Sequence, residues 1–186
     1  MRGHYIPNSI TFLRILLVAP LLVAMAVGDY GLALLLFVVA GGSDALDGFL
    51  AKRFHWESRL GAALDPLADK LLMVASYLML GAQGHLPIWL VAVVIGRDAV
   101  ILLGAGTYRL LFGSLEMAPR LPSKANTLLQ IVLVAVVLLA LCCYPVADGL
   151  RTVLVGAVLL SSLWSGLDYV WVWSRHAVER RKEARG

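Results

Sequence analysis

Charge is scarce in this chain. Only 15% of its 186 residues are Asp, Glu, Lys or Arg, against about 25% in an ordinary soluble domain. With 60% of residues hydrophobic, that charge is too thin to cover the chain with a water-solvated surface. Cysteine is nearly absent. Cys142 and Cys143 are neighbours inside an apolar run, which argues against a disulfide framework and for two buried, inert thiols. The four histidines, His4, His55, His85 and His176, have no metal-ligand spacing. There is no internal repeat and no low-complexity tract. The opening stretch, "MRGHYIPNSITFLRILLVAPLLVAMAVG", has neither a small-residue cleavage site nor an Arg- and Ser-rich leader. Neither a signal peptide nor a mitochondrial transit peptide is therefore expected.

What the chain has instead is long apolar runs. Six spans are expected, at about 9–28, 30–52, 61–81, 86–110, 123–143 and 149–173. The breaks are turn chemistry: "GDYG" at 28–31, "GAQGHLP" at 81–87, "APRLPS" at 118–123 and "YPVADG" at 144–149. Segment 53–60 is short and polar, so spans two and three form a helical hairpin, while segment 1–8 is expected to lie on the interface. The expected class is thus an all-α membrane protein of one domain, residues 1–186, with six transmembrane helices. Basic residues set the orientation. With both termini cytoplasmic, the inner segments hold Arg2, Lys52, Arg53, Arg59, Arg109, Arg120, Lys124, Arg175, Arg180, Arg181, Lys182 and Arg185, and the outer ones only Arg151. A formal net charge of +4 then belongs to loops facing anionic lipid, and nucleic acid is not an expected partner. Trp164, Tyr169, Trp171 and Trp173 read as an interfacial aromatic belt.

Four aspartates break the apolar pattern in "SDALDGFLAKRFHWESRLGAALDPLADK", residues 43–70. An aspartate at the centre of a lipid-facing helix costs about 3 kcal/mol on insertion scales. Asp44 and Asp47 are three apart, and Asp65 and Asp69 four apart, so each pair shares a helix face. Gly48, Ala51 and Gly61 keep those faces small, which lets a ligand or another backbone come close. Four convergent carboxylates cannot all stay ionised without cations. Two divalent ions, Mg²⁺ or Mn²⁺, suit an oxygen-only donor set and form a clamp for phosphoryl chemistry. Lys52, Arg53 and Arg59 stand at the mouth, where phosphate charge would lie. A proton relay or an interhelical hydrogen bond needs one or two acids, not four beside a basic loop. An ion-coupled transporter would show broken helices and an inverted repeat, and neither is found.

The stretch reads D-x2-D-G-x2-A-x9-G-x3-D-x3-D from Asp44 to Asp69. It resembles the signature of the CDP-alcohol phosphotransferases at every position. The usual Arg after the Ala is replaced by Lys52, followed by Arg53. The resemblance implies a six-helix membrane bundle that works as a homodimer. It also implies transfer of a phosphatidyl group from CDP-diacylglycerol to an alcohol, with release of CMP. By the motif, Asp44, Asp47 and Asp65 would hold the metals, and Asp69 would touch one metal and serve as general base. Gly48, Lys52, Ser58 and Gly61 would line the cytidine and diphosphate pocket, with Ala51 and Arg53 beside them. A chain of this kind would sit in a bacterial inner membrane with its site facing the cytoplasm.

Other stretches bear on the acceptor. "PNSITFLR", with Asn8 and Arg14, and "LDPLADK" resemble both the phosphatidylglycerophosphate synthase and the cardiolipin synthase branches of the family. Gly96-Arg97-Asp98 and "SKANTLLQ" at 123–130 resemble the cardiolipin synthase branch, where phosphatidylglycerol is the acceptor. Glycerol-3-phosphate is the alternative. Asn8, Arg14, Arg97 and Lys124 are the candidate acceptor contacts. Arg97 and Asp98 are adjacent and so do not share a helix face, which puts the expected partner of Arg97 on another helix. Asp168 in the last span is a candidate for a hydrogen bond across helices.

Overall fold

The computed structural model describes the backbone of residues 5–54, 59–112 and 121–183, with side chains over 12–43, 67–104, 106–107, 122–169 and 171–172. Among these residues there are six α-helices and no strand: α1 (Tyr5–Ala26), α2 (Tyr30–Phe54), α3 (Arg59–Ala82), α4 (Ile88–Phe112), α5 (Leu121–Cys142) and α6 (Asp148–Glu183). The helices fall on the six apolar runs. Two helices run past the expected spans. Helix α1 already starts at Tyr5, so half of the segment assigned to the interface is helical. Helix α6 runs on to Glu183, because "ERRKE" carries good helix formers that need no lipid to stay helical.

The chain divides into two compact units, residues 1–86 with 134–151, and residues 87–133 with 152–186. In the first unit α1 packs against both α2 and α3, and α2 meets α3. The spacing of the buried residues explains why. Arg14, Val18, Leu21 and Met25 recur along one face of α1, Ala33, Phe37 and Ala40 along α2, and Ala68, Leu72, Ser76 and Leu80 along α3. Alanine at the α2 and α3 contacts lets the backbones approach closely, as helices in lipid require. In the second unit the buried set is polar to an unusual degree. Leu90, Val91, Val94, Leu133 and Val158 share it with Arg97, Asp98, Asn126, Gln130, Ser162 and Ser165.

Large apolar side chains point outward. Phe12, Val23, Leu35, Leu103, Leu160, Trp164, Leu167 and Trp171 are each more than half exposed. Large apolar side chains outside, with charged and polar groups buried in the second unit, depart from a water-soluble fold and fit a hydrocarbon solvent. Among the described residues, Pro122–Cys142 and Asp148–Tyr169 are each long and apolar enough to cross a membrane, while Phe12–Ala26 and Tyr30–Ser43 are shorter apolar stretches.

Two helix ends are closed by the same device. Gly28, at φ 80°, and Gly84, at φ 74°, lie in the left-handed region just past α1 and α3. Asp29 N–H donates to the Ala24 carbonyl and Gly28 N–H to that of Met25, while His85 N–H donates to Leu80 and Gly84 N–H to Gly81. Both sets are the paired bonds of a Schellman cap, which calls for glycine at the left-handed residue. Asp29 then caps α2 by accepting from the Leu32 N–H at 3.0 Å.

The turn after α3 is tied down by side chains. Gln83 Nε2 donates to the Met25 carbonyl at 2.6 Å. The Tyr30 hydroxyl and His85 Nε2 share a hydrogen bond of 2.9 Å, with the rings edge to face. The Arg151 guanidinium donates to the His85 carbonyl. At the end of α5 the expectation of two buried thiols is corrected. Cys142 and Cys143 are paired to each other as a vicinal disulfide, and Cys143 is exposed. The physical reason is local: the helix ends at Cys142, so Cys143 lies in the turn beyond the packed surface.

Burial, and then the nearby Arg151 charge, hold the His85 pKa below the usual histidine value of 6.5. A lowered histidine is neutral in the fold and takes up a proton more readily when unfolded. Its contribution to stability is therefore complete above pH of about 6.5 and is lost as pH falls below it. Thermal melts in detergent should show a midpoint that drops between pH 7.5 and 5.5, and His85→Gln should flatten that dependence.

Candidate functional site

Helices α2 and α3 carry the aspartate motif. Asp44 and Asp47 lie on α2, and Asp65 and Asp69 on α3, all within continuous helix. The i, i+3 and i, i+4 registers expected for them are therefore real helix registers. The side chains of Asp44, Asp47 and Asp65 lie outside the described residues, as do those of Asn8, Ala51, Lys52 and Arg53 and the surroundings of Gly48 and Gly61, while Ser58 lies outside them altogether. Asp69 is the member of the motif whose side chain is described, and 43% of its surface is open.

Asp69 meets a residue from another helix. Arg14 Nη1 donates to Asp69 Oδ1 at 2.9 Å, tying α1 to α3. Arg14 itself is wholly buried. The expectation for Arg14 was an acceptor contact; the structure places it on the carboxylate of Asp69.

Arg97 anchors a second polar group, within the other unit. Its Nη1 donates to Asp98 Oδ1 at 2.6 Å, and its Nη2 donates to Ser123 Oγ on α5 at 2.8 Å and to Ser165 Oγ on α6 at 2.5 Å. The expectation that Asp98 could not partner Arg97 is corrected. The helix-face rule concerns Cβ positions, and the long arginine stem swings its guanidinium sideways to the adjacent carboxylate. The expected link to other helices is also present, through the two serines. One turn along α5, Asn126 Oδ1 accepts from Ser161 Oγ at 2.8 Å and from Ser162 Oγ at 2.9 Å, while Asn126 Nδ2 is buried without a hydrogen-bond partner. Lys124, next to Ser123, is exposed.

Sequence reasoning missed Ser161, Ser162 and Ser165, and it treated Asn126 and Gln130 only as part of a motif. The signal was there. Ser123, Asn126 and Gln130 recur at helical spacing on α5, as do Ser161, Ser162 and Ser165 on α6. A small cleft of about 50 Å³ lined by His85, Val137, Leu141 and Arg151 lies past the far end of α3, whose last residue is about 20 Å along the helix from Asp69.

As a metal site, the four aspartates of the motif would offer carboxylate oxygens without a thiolate or imidazole, which is the chemistry of Mg²⁺ or Mn²⁺. Asp69 keeps open surface even with Arg14 bound to it, so its carboxylate is accessible to a ligand. Among the described residues no three His, Cys, Asp or Glu gather, the other three aspartates falling outside them.

Comparison with known proteins decides the family. The model of the CDP-alcohol phosphatidyltransferase family matches residues 4–172. The chain belongs to the CDP-alcohol phosphatidyltransferase family. It is similar to the CMP-forming cardiolipin synthase of Homo sapiens, 34% identical over 151 residues, covering 73% of this chain and 50% of that one. It is similarly related to a CMP-forming cardiolipin synthase / mitochondrial hydrolase fusion protein of Schizosaccharomyces pombe, 34% identical over 149 residues, 72% of this chain and 25% of that one. Against these two proteins the chain spans half or less of their length. It is also similar to the CDP-diacylglycerol–glycerol-3-phosphate 3-phosphatidyltransferase of Pseudomonas fluorescens, 35% identical over 190 residues, 96% of this chain and 95% of that one.

Removing one partner of a buried ion pair typically costs about 3–5 kcal/mol, which in a chain of this size is roughly 10 °C of melting temperature. Arg97→Ala should therefore melt well below wild type in detergent. The double variant Arg97→Met with Asp98→Asn should regain most of the loss. An unchanged melting point for Arg97→Ala would show that the seam contributes no stability.

Proposed function

We propose that this phosphatidyltransferase-family chain is an integral membrane phospholipid synthase with six spans and both termini in the cytoplasm. It moves the phosphatidyl group of CDP-diacylglycerol onto a glycerol-type alcohol and releases CMP. The observation that carries the reading is Asp69, a half-open carboxylate one turn beyond Asp65 on the hairpin that bears the family's aspartate motif. The acceptor hydroxyl oxygen bonds to the phosphorus that carries diacylglycerol. The bond from that phosphorus to the oxygen of CMP breaks, and CMP leaves with the electron pair. Asp69 takes the hydroxyl proton.

Asp44, Asp47, Asp65 and Asp69 would hold two Mg²⁺ or Mn²⁺ ions. When bound, such ions neutralise charge on the transferred phosphate and on the leaving CMP. Gly48 and Gly61 leave room for the donor, and Lys52 and Arg53 supply cations at the diphosphate. Lys52 in place of the family's arginine keeps the charge but gives up the planar fork, which Arg53 restores one residue on. The site faces the cytoplasm of a bacterial inner membrane, on the strength of the basic residues around the hairpin, and the chain works as a homodimer, as its family does.

The acceptor favoured by the "SKANTLLQ" and Gly96-Arg97-Asp98 stretches is phosphatidylglycerol, giving cardiolipin. Glycerol-3-phosphate is the second reading, supported by a relative of that activity that matches nearly end to end. Asn8, Arg97 and Lys124 remain the candidate contacts for the acceptor phosphate, and Arg97 would have to loosen its hold on Asp98 to serve.

Purified chain supplied with CDP-diacylglycerol and Mn²⁺ should release CMP when phosphatidylglycerol is added. Release driven only by glycerol-3-phosphate would move the acceptor to the second reading. Asp69→Asn should lower turnover about 10²–10⁴-fold, the usual loss when a general base is removed. Turnover close to wild type in that variant would show that Asp69 is not the base.

A further inference from the structure

Arg14 and Asp69 are exposed very unequally. None of the arginine side chain is open, while 43% of the aspartate side chain is. A residue that binds an acceptor must present surface to it. A guanidinium with no open surface cannot do so unless the helices around it part. Among the described residues, Arg14 donates to the Asp69 carboxylate at 2.9 Å. Its own helix gives it little freedom. Arg14 continues the buried stripe of Val18, Leu21 and Met25, which packs α1 onto its neighbours.

We propose that Arg14 is a positioning residue for Asp69, acting through that carboxylate and not on the acceptor. The proposal rests on the reading of Asp69 as the general base. An aspartate side chain turns about two bonds, and on an open helix face it samples several rotamers. A charge-assisted hydrogen bond from a fixed, buried donor holds the carboxylate at one oxygen and selects one rotamer. The carboxylate surface left open is what an acceptor hydroxyl can reach. Arg14 lies 55 residues before Asp69, so it also joins the first helix to the catalytic hairpin. The work of the base then depends on how α1 is seated.

The test uses the full chain in detergent, with CDP-diacylglycerol, Mn²⁺ and whichever acceptor supports CMP release, and it follows CDP binding alongside. Arg14→Gln should lower kcat by about 10²-fold, the scale of loss when a reacting group is displaced by an ångström. The KM for the acceptor and the affinity for CDP should stay as in wild type. In the Asp69→Asn background the same substitution should add no further loss, since residues acting as a unit are not additive. A raised acceptor KM with kcat kept would overturn the proposal and make Arg14 an acceptor ligand. So would a full further loss on top of Asp69→Asn, which would place its action elsewhere. An active Asp69→Asn enzyme would instead remove the base reading itself, a separate result. Should Arg14→Gln lose CDP binding, Arg14→Lys decides: CDP affinity and acceptor KM kept with a lowered kcat supports positioning, and a raised acceptor KM overturns it.

Discussion

A charge removed from water must be met by an opposite charge, and the contact between Arg14 and Asp69 is where the first unit of this fold obeys that constraint. One partner is sealed inside the helices and the other keeps open surface. Burying both would leave a structural ion pair with no access to a substrate. Exposing both would weaken the contact and cost side-chain entropy. The unequal arrangement gives α3 a carboxylate that is fixed yet reachable. It also makes a third helix part of the hairpin's surroundings. Helix α1 packs on both α2 and α3 and brings the compensating charge.

The second unit meets the same constraint in another way. Arg97 is neutralised by its neighbour Asp98 and then spread across two serines from other helices. Asn126 repeats the pattern with Ser161 and Ser162. Among apolar surroundings such bonds contribute only about 0.6 kcal/mol each on average. Their value is geometric, since an unmet polar group there would cost several kcal/mol. They fix the rotation of α4, α5 and α6 about their axes, which apolar packing alone leaves loosely determined.

Much of the fold was legible in the sequence because its punctuation is chemical. Gly28 and Gly84 mark the two Schellman caps, and Pro145 stands three residues past the end of α5. Helix α6 outruns its expected span because hydropathy falls at residue 173 while helix propensity does not. The aspartate hairpin was legible because two acids at i, i+3 or i, i+4 in an apolar run can only share a helix face. The Arg14–Asp69 contact was not legible, since nothing local joins residues 55 apart. The Arg97–Asp98 pair was misread because a rule about Cβ positions was applied to a side chain several bonds long. The vicinal cysteines were misread because an apolar run was taken to continue through the helix end at Cys142.

The central claim is that carboxylates from α2 and α3 converge on divalent cations. Electron paramagnetic resonance of Mn²⁺ bound to the purified chain with CDP tests it most directly. The account predicts two Mn²⁺ per chain, about 4 Å apart and magnetically coupled, with the coupling lost in Asp44→Asn. Isolated Mn²⁺ signals, or binding no stronger than that of Asp44→Asn, would contradict it.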